Sequence, residues 1–133
     1  APMTYGEVEE LVGVDIANAI KVRSLALYGF ASQDCAPKGL ILADTKFEFG
    51  LVDGEPCLID EVLTPDSSRF WAGNDYFAGR PQKSFDKQPL RDYLDSLDWD
   101  KSAPPPPLPA DIIQTTSERY MKAHSLVTGL ELK

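Results

Sequence analysis

One histidine and two cysteines are all the imidazole and thiol ligands in this 133-residue chain. A tetrahedral zinc site built from Cys and His needs four such groups, so Cys35, Cys57 and His124 cannot make one. The cysteines form no Cys-x-x-Cys pair, and nothing in their spacing supports a disulfide. They read as free thiols of a reducing compartment, the cytoplasm. Basic residues are also scarce: 13 Lys and Arg stand against 21 Asp and Glu, for a net charge of -8. Neutralising a nucleic-acid backbone takes clustered cations, so no nucleic-acid partner is expected. An anionic small molecule, which needs only a few placed cations or a metal, stays open. No apolar run approaches the roughly 18 residues of a membrane span. The first residues lack the basic-then-apolar order of a signal peptide, so no membrane partner is expected. Neither GxxxxGK[ST] nor GxGxxG occurs, and there is no internal repeat.

What is present is ordinary globular composition, 43% hydrophobic and 26% charged. The length suits one domain over residues 1–133, able to bury about 68–70% of its unfolded surface. Thr4-Tyr5-Gly6-Glu7 fits a capping box and starts a short helix that stops near Gly13. A second helix is predicted from about Asp15 to Phe30, with Ile16, Ala19, Ile20, Leu27 and Ala31 as its buried stripe. Pro37-Lys38-Gly39 ends it. Leu40 to Gly50 then reads as one strand, a continuous apolar run that turns into an alternation. Asp53-Gly54 signals a hairpin, and Cys57-Leu58-Ile59 returns as the partner. Thr64 to Ser68 is a loop, and Trp71 to Ser84 looks irregular. Asp86 to Leu97 reads as a helix with Pro89 in its first turn. Ser102 to Pro109 should be extended polyproline-like chain, and a last helix runs from Asp111 to Thr128 with Gly129 as its cap. The fold class is α/β or α+β: a small, mainly antiparallel sheet carrying a site-bearing hairpin and covered by helices from both ends of the chain.

Residues two apart on a strand share a face, so Asp44, Lys46 and Glu48 project together, within about 14 Å at about 3.4 Å per residue. Taken alone this is a solvated face of alternating charge. The returning strand ends in Asp60-Glu61 and folds back towards Glu48. Two carboxylates from adjacent strands make a hard-oxygen site suited to Mg²⁺, which borrows waters and phosphate oxygens as further ligands. Register is the difficulty. A two-residue turn at Asp53-Gly54 sets Phe47 opposite Asp60 and sends that carboxylate to the core face. A three-residue loop over Asp53, Gly54 and Glu55, or a bulge at Pro56, pairs Glu48 with Asp60 instead. The expectation is therefore that no uninterrupted two-residue hairpin joins the strands. Beyond it, Thr64-Pro65-Asp66-Ser67-Ser68-Arg69 offers hydroxyls, a carboxylate and a guanidinium fork, a set suited to a polar anion.

The segment Gly39-Leu40-Ile41-Leu42-Ala43-Asp44-Thr45-Lys46-Phe47-Glu48-Phe49-Gly50, followed by Asp60-Glu61-Val62-Leu63-Thr64-Pro65-Asp66-Ser67-Ser68-Arg69-Phe70-Trp71, resembles the phosphoribosylaminoimidazole-succinocarboxamide synthase (SAICAR synthetase) family of purine biosynthesis. Ser84-Phe85-Asp86-Lys87-Gln88, Arg91-Asp92-Tyr93-Leu94, Trp99-Asp100-Lys101, Ser24 to Tyr28 and Arg119-Tyr120 extend the likeness over nearly the whole chain. The resemblance implies the C-terminal portion of a ligase that uses ATP and Mg²⁺ to couple carboxyaminoimidazole ribotide to L-aspartate. It implies that the N-terminal ATP-binding domain, with its Gly-rich phosphate hairpin, is absent from these residues and would be a missing partner. Carried over by position, Glu48 and Asp60 are the metal-binding acids. Lys46 and Asp44 are catalytic, with Asp44 expected to orient Lys46. Asp66, Ser68 and Arg69 bind substrate, Arg69 at the ribotide phosphate. Two other readings stay open: a non-catalytic nucleotide- or phosphosugar-binding module, and a kinase-related phosphotransferase fragment.

Overall fold

The computed structural model describes residues 2–132, so Ala1, the first residue of the N-terminal reading, and Lys133 lie outside it. The architecture is α+β. Helix α1 (Tyr5–Val12) opens on the expected capping box: Glu7 N–H donates to Thr4 Oγ1 at 3.3 Å, and Thr4 N–H donates back to Glu7 Oε2 at 2.6 Å. Gly13 ends it at φ 85°, donating to the Glu9 carbonyl while its own carbonyl accepts from Ala17. A residue with no Cβ lets the chain turn there and restart at once as α2 (Val14–Cys35).

Helix α2 runs five residues past its predicted end at Phe30. Its fully buried positions are Ala17, Ala31 and Cys35. Of the predicted stripe only Ala31 is among them, and Ile16, Ala19, Ile20 and Leu27 are half-buried. Tyr28 Oη donates to the Leu42 carbonyl at 2.9 Å, tying α2 to the first strand. Pro37 sits in a 3₁₀ turn that Gly39 closes in the left-handed region.

The predicted single strand from Leu40 to Gly50 is two strands. β1 (Leu40–Thr45) and β2 (Glu48–Val52) are interrupted at Lys46-Phe47 and pair with different partners. β1 lies antiparallel to β4 (Ser68–Ala72), a strand that falls in the loop and irregular region of the sequence reading. Between Leu42↔Phe70 and Asp44↔Arg69 the register shifts, leaving Ala43 as an extra residue. Up to that bulge Leu40 and Leu42 face the core. Strict alternation would send Asp44 in after them, but one extra residue exchanges the faces. Asp44 and Arg69 therefore emerge on the solvent face, and Thr45 meets buried Ser68, their hydroxyl oxygens 2.8 Å apart.

β2 pairs with β3 (Glu55–Ile59) in the register Val52↔Glu55, Leu51↔Pro56, Glu48↔Ile59. This is an uninterrupted two-residue hairpin, so the expected three-residue loop or Pro56 bulge is overturned. Asp53 and Gly54 both take positive φ, 53° and 84°, which the tight primed turn demands and which Asp-Gly tolerates. The pair beside such a turn exchanges ladder bonds. Pro56 is one step further on, at a position whose nitrogen faces out of the ladder, so it fits without a bulge.

After β4 comes an irregular stretch, then α3 (Gln88–Asp95), shorter than the predicted Asp86 to Leu97. Asp86 Oδ1 accepts from Gln88 N–H at 2.9 Å and fixes the start of the helix. The proline run that follows carries no helix or strand, and its Ala103–Pro104 bond is cis. Helix α4 (Ala110–Thr128) ends at Gly129, as the sequence predicts. Two bonds to carbonyls hold it: Arg119 Nη1 donates to Ser84 O at 2.8 Å, and Lys38 Nζ to Val127 O at 2.7 Å. Both cysteines are free thiols. No helix among the described residues is long and apolar enough to cross a membrane.

The core joins Ala31 and Cys35 of α2 to Leu40, Leu42 and Phe70 of the β1–β4 pair, with Leu63, Phe85, Leu126 and Val127 against it. Phe70 is 1% exposed and stands directly behind Arg69. Phe70→Ala is expected to cost about 3–5 kcal/mol of stability, the usual penalty for emptying an aromatic core site. The difference in urea-unfolding free energy measures it, and a loss below about 1 kcal/mol would show that the β1–β4 pair does not depend on this ring.

Candidate functional site

Where β1 and β4 emerge from the core, the segment Thr64 to Ser67 closes over them. Thr64 Oγ1 accepts from the N–H groups of Asp66 and Ser67, each at 3.3 Å, and donates to Glu61 Oε2 at 2.6 Å. Ser67 O accepts from Lys46 N–H at 2.9 Å, which ties this loop to the end of β1. The loop is thus built on hydroxyls that satisfy its own backbone. Between loop, strands and α3 lies a cavity of about 330 Å³ lined by Asp44, Lys46, Asp66, Ser68, Arg69, Asp86 and Arg91, among others.

Arg69 grips Asp44 with Nε at 2.9 and 3.0 Å and with Nη2 on the same carboxylate. This guanidinium holds the Asp44 carboxyl below its usual range, and Asp44 raises Arg69 in turn. Asp44 was expected to orient Lys46, but the structure gives it Arg69 as partner. The bulge at Ala43 is the reason, since it sets the two side by side across the strands.

Lys46 instead serves the two acids expected to bind metal. Its Nζ lies 2.5 Å from Glu48 Oε1 and 3.6 Å from Asp60 Oδ2, and Glu48 chiefly raises its pKa. The carboxylates converge on one ammonium despite the two-residue hairpin. Asp60 achieves this by leaving the ladder at φ 63°, a left-handed conformation that Asp tolerates better than most residues. The face problem raised by the sequence is solved by one backbone angle after the strand, not by a register slip.

Asp66 is held by Lys87 Nζ at 2.5 Å and touched by Tyr120 Oη at 3.4 Å. Lys87 is the main reason its carboxyl lies low, while burial pushes the Tyr120 phenol up. Ser68 is buried, with its hydroxyl engaged by Thr45, so it contributes to the cavity wall. All seven residues singled out from sequence thus fall in one region. Asp86, Lys87 and Arg91 were not singled out for it. They occur in Ser84 to Gln88 and Arg91 to Leu94, segments that carry the family resemblance but no recognisable chemistry of their own.

The comparisons fit this arrangement. The family model for SAICAR synthetase matches residues 3–106. The chain belongs to the SAICAR synthetase family. It is 56% identical over 127 residues to the phosphoribosylaminoimidazole-succinocarboxamide synthase of Desulfotalea psychrophila, covering 96% of this chain and 43% of that protein. Among solved structures it is similar to the SAICAR synthase of Saccharomyces cerevisiae complexed with SAICAR. The TM-score is 0.85 at 39% identity, over 98% of this chain and 44% of that one. A SAICAR synthetase in complex with ADP gives a TM-score of 0.70 at 26% identity, over 98% of this chain and 46% of that one. The chain therefore spans less than half the length of these relatives.

The Asp44–Arg69 pair has a pH signature. A carboxylate whose folded pKa lies below its ordinary 3.8 stabilises the fold above that value, and stops doing so as pH falls through the depressed one. Both side chains are half exposed, so the effect should stay under about 1 kcal/mol. Wild type is expected to lose a small margin over Asp44→Asn on acidification. Urea midpoints of the two, at neutral pH and below the ordinary carboxylate range, test this. An identical acid dependence would mean that the pair adds nothing.

Proposed function

We propose that this chain supplies the metal and ribotide half of an ATP- and Mg²⁺-dependent ligase site that couples carboxyaminoimidazole ribotide to L-aspartate in purine biosynthesis. The observation that carries the reading is the convergence of Glu48 and Asp60 on Lys46 Nζ, beside a cavity walled by Arg69 and Asp66. Membership of the SAICAR synthetase family supports SAICAR synthesis as the chemistry.

Magnesium fits the donor set. Among the described residues no three or more His, Cys, Asp or Glu are arranged to hold a metal ion. Two carboxylates with hard oxygens are what a Mg²⁺ site shared with substrate phosphates requires of a protein. Glu48 and Asp60 would hold the ion, which supplies charge neutralisation during phosphoryl transfer. Lys46 is a mobile point charge suited to the ribotide carboxylate, and Arg69 offers a rigid fork to the 5′-phosphate. In this reading the γ-phosphoryl group of ATP passes to an oxygen of the imidazole carboxylate and ADP leaves. The amine of aspartate then attacks the acyl carbon. A C–N bond forms, the C–O bond to phosphate breaks, and the amine loses a proton. The cytoplasm is the compartment this reading assigns.

Positioning and electrostatic clamping supply nearly all phosphoryl-transfer catalysis, and these residues contain no Gly-rich phosphate hairpin. Isolated, the 133-residue chain is expected to bind ribotide but to form no measurable ADP with ribotide, aspartate, ATP and Mg²⁺. Turnover at a rate typical of whole enzymes would refute the division of labour proposed. Arg69→Lys is expected to weaken ribotide binding almost as much as Arg69→Ala, by about 1.5–3 kcal/mol, because an ammonium cannot reproduce two parallel bonds. Calorimetric titration decides it: a lysine variant that binds like wild type removes Arg69 as the phosphate clamp.

A further inference from the structure

We propose that Tyr120 of α4 is a positioning residue for Asp66, fixing the direction in which that carboxylate presents its free oxygen to the cavity. The ribotide as the ligand it meets rests on the ligase reading above.

Asp66 stands on the loop Thr64 to Ser67 and lines the cavity, with about half of its side chain exposed. The two groups that hold it use the same oxygen. Lys87 Nζ lies 2.5 Å from Oδ1, and Tyr120 Oη lies 3.4 Å from Oδ1. Among the described residues Oδ2 makes no hydrogen bond, so it is the oxygen left to accept from a hydroxyl or N–H of a ligand. Burial, with the carboxylates of Asp66, Asp86 and Glu61 nearby, pushes the Tyr120 phenol up and keeps it a neutral donor.

Three links close a ring around this carboxylate. The Asp66–Lys87 pair joins the loop to the segment Ser84 to Gln88. Arg119 Nη1, donating to Ser84 O at 2.8 Å, joins that segment to α4. Tyr120, the next residue, joins α4 back to the loop. Consecutive side chains on a helix diverge by about 100°, so one turn of α4 reaches both segments at once. Lys87 alone would leave the carboxylate free to swing, because an ammonium on a flexible stem donates in many directions. A second donor from a different element removes that freedom. The gain is not in stability, since an ion pair this exposed is screened by water. What the phenol changes is where Oδ2 points. The ring of Tyr120 could pack without its hydroxyl, so the hydroxyl is the group that separates positioning from packing.

Calorimetric titration of the 133-residue chain with carboxyaminoimidazole ribotide, alongside urea midpoints, tests this. Tyr120→Phe removes only the hydroxyl. It is expected to weaken binding about threefold to tenfold, the usual effect of one hydrogen bond, with the midpoint unchanged. Tyr120→Leu removes the ring as well and should lower the midpoint, yet bind no more weakly than the phenylalanine variant. In an Asp66→Ala background, Tyr120→Phe should change affinity no further. A phenylalanine variant that binds like wild type makes Tyr120 a packing residue and overturns the proposal. So does a loss that keeps its full size once the Asp66 carboxylate is gone, because Tyr120 then acts elsewhere. Should Tyr120→Leu unfold, the phenylalanine variant in the two backgrounds decides alone. Both contrary results leave the ligase reading intact. A wild-type chain that binds no ribotide overturns that reading, and this role of Tyr120 with it.

Discussion

The extra residue at Ala43 is the constraint on which the rest of the site depends. It lies between a stretch of β1 that must be buried and a stretch that must not. Leu40 and Leu42 pack with Phe70 in the core, and two residues further on Asp44 has to reach solvent. A regular strand cannot do both, because its faces alternate without exception. Adding one residue to β1 between Leu42 and Asp44, opposite the Phe70–Arg69 step of β4, exchanges the faces and sharpens the local twist. Asp44 and Arg69 come out together as a matched pair, and Thr45 and Ser68 go in together with their hydroxyls in contact. The position of Arg69 is thereby tied to the packing of Phe70 one residue away. Stability and the cavity share the same few bonds.

The break at Lys46-Phe47 continues this logic. β1 belongs to one two-stranded sheet and β2 to another, so Lys46 lies at the junction and is bound by neither ladder's alternation. Its side chain can cross to Glu48 on β2 and to Asp60 just past β3. Asp60 needs a left-handed backbone to meet it. Asp53 in the hairpin turn takes the same conformation for a different reason, since there the turn type requires it. An aspartate with positive φ is thus used once to close the hairpin and once to aim a carboxylate.

Much of the fold was legible because local chemistry decided it. Thr4 and Glu7 cap α1, Asp53-Gly54 makes the hairpin, and Gly129 ends α4, each within a few residues of its own cause. β4 was not legible. Ser68 to Ala72 is short, and its identity as a strand comes from pairing with β1, more than twenty residues earlier in the chain. The last turn of α2 is not legible for a related reason: Cys35 is buried by packing against β1 and β4 residues, a contact no helical period reveals. Within the site, residue types could be read from sequence, but partnerships could not. That Asp44 serves Arg69, or that Asp66 serves Lys87, follows from the bulge and from the placing of α3, both tertiary facts.

The ion pairs explain how a chain of net charge -8 keeps cations at the wall of this cavity, as the proposed anion binding requires. The acids at this site do not compete with a ligand on equal terms; several orient the cation that would meet it. Asp44 occupies Nε and Nη2 of Arg69, and the rest of the fork stays available. A guanidinium divides its five donors between an orienting carboxylate and an incoming oxyanion, and little of its freedom is left to lose when that oxyanion arrives. An ammonium cannot divide itself so neatly. Lys46, at 2.5 Å from one carboxylate and 3.6 Å from another, would have to turn away from both to serve a substrate. The two kinds of cation are therefore suited to different work at one site. In the proposed reaction the arginine on β4 suits a fixed anchor, and the lysine at the junction of two sheets suits the place where charge has to move.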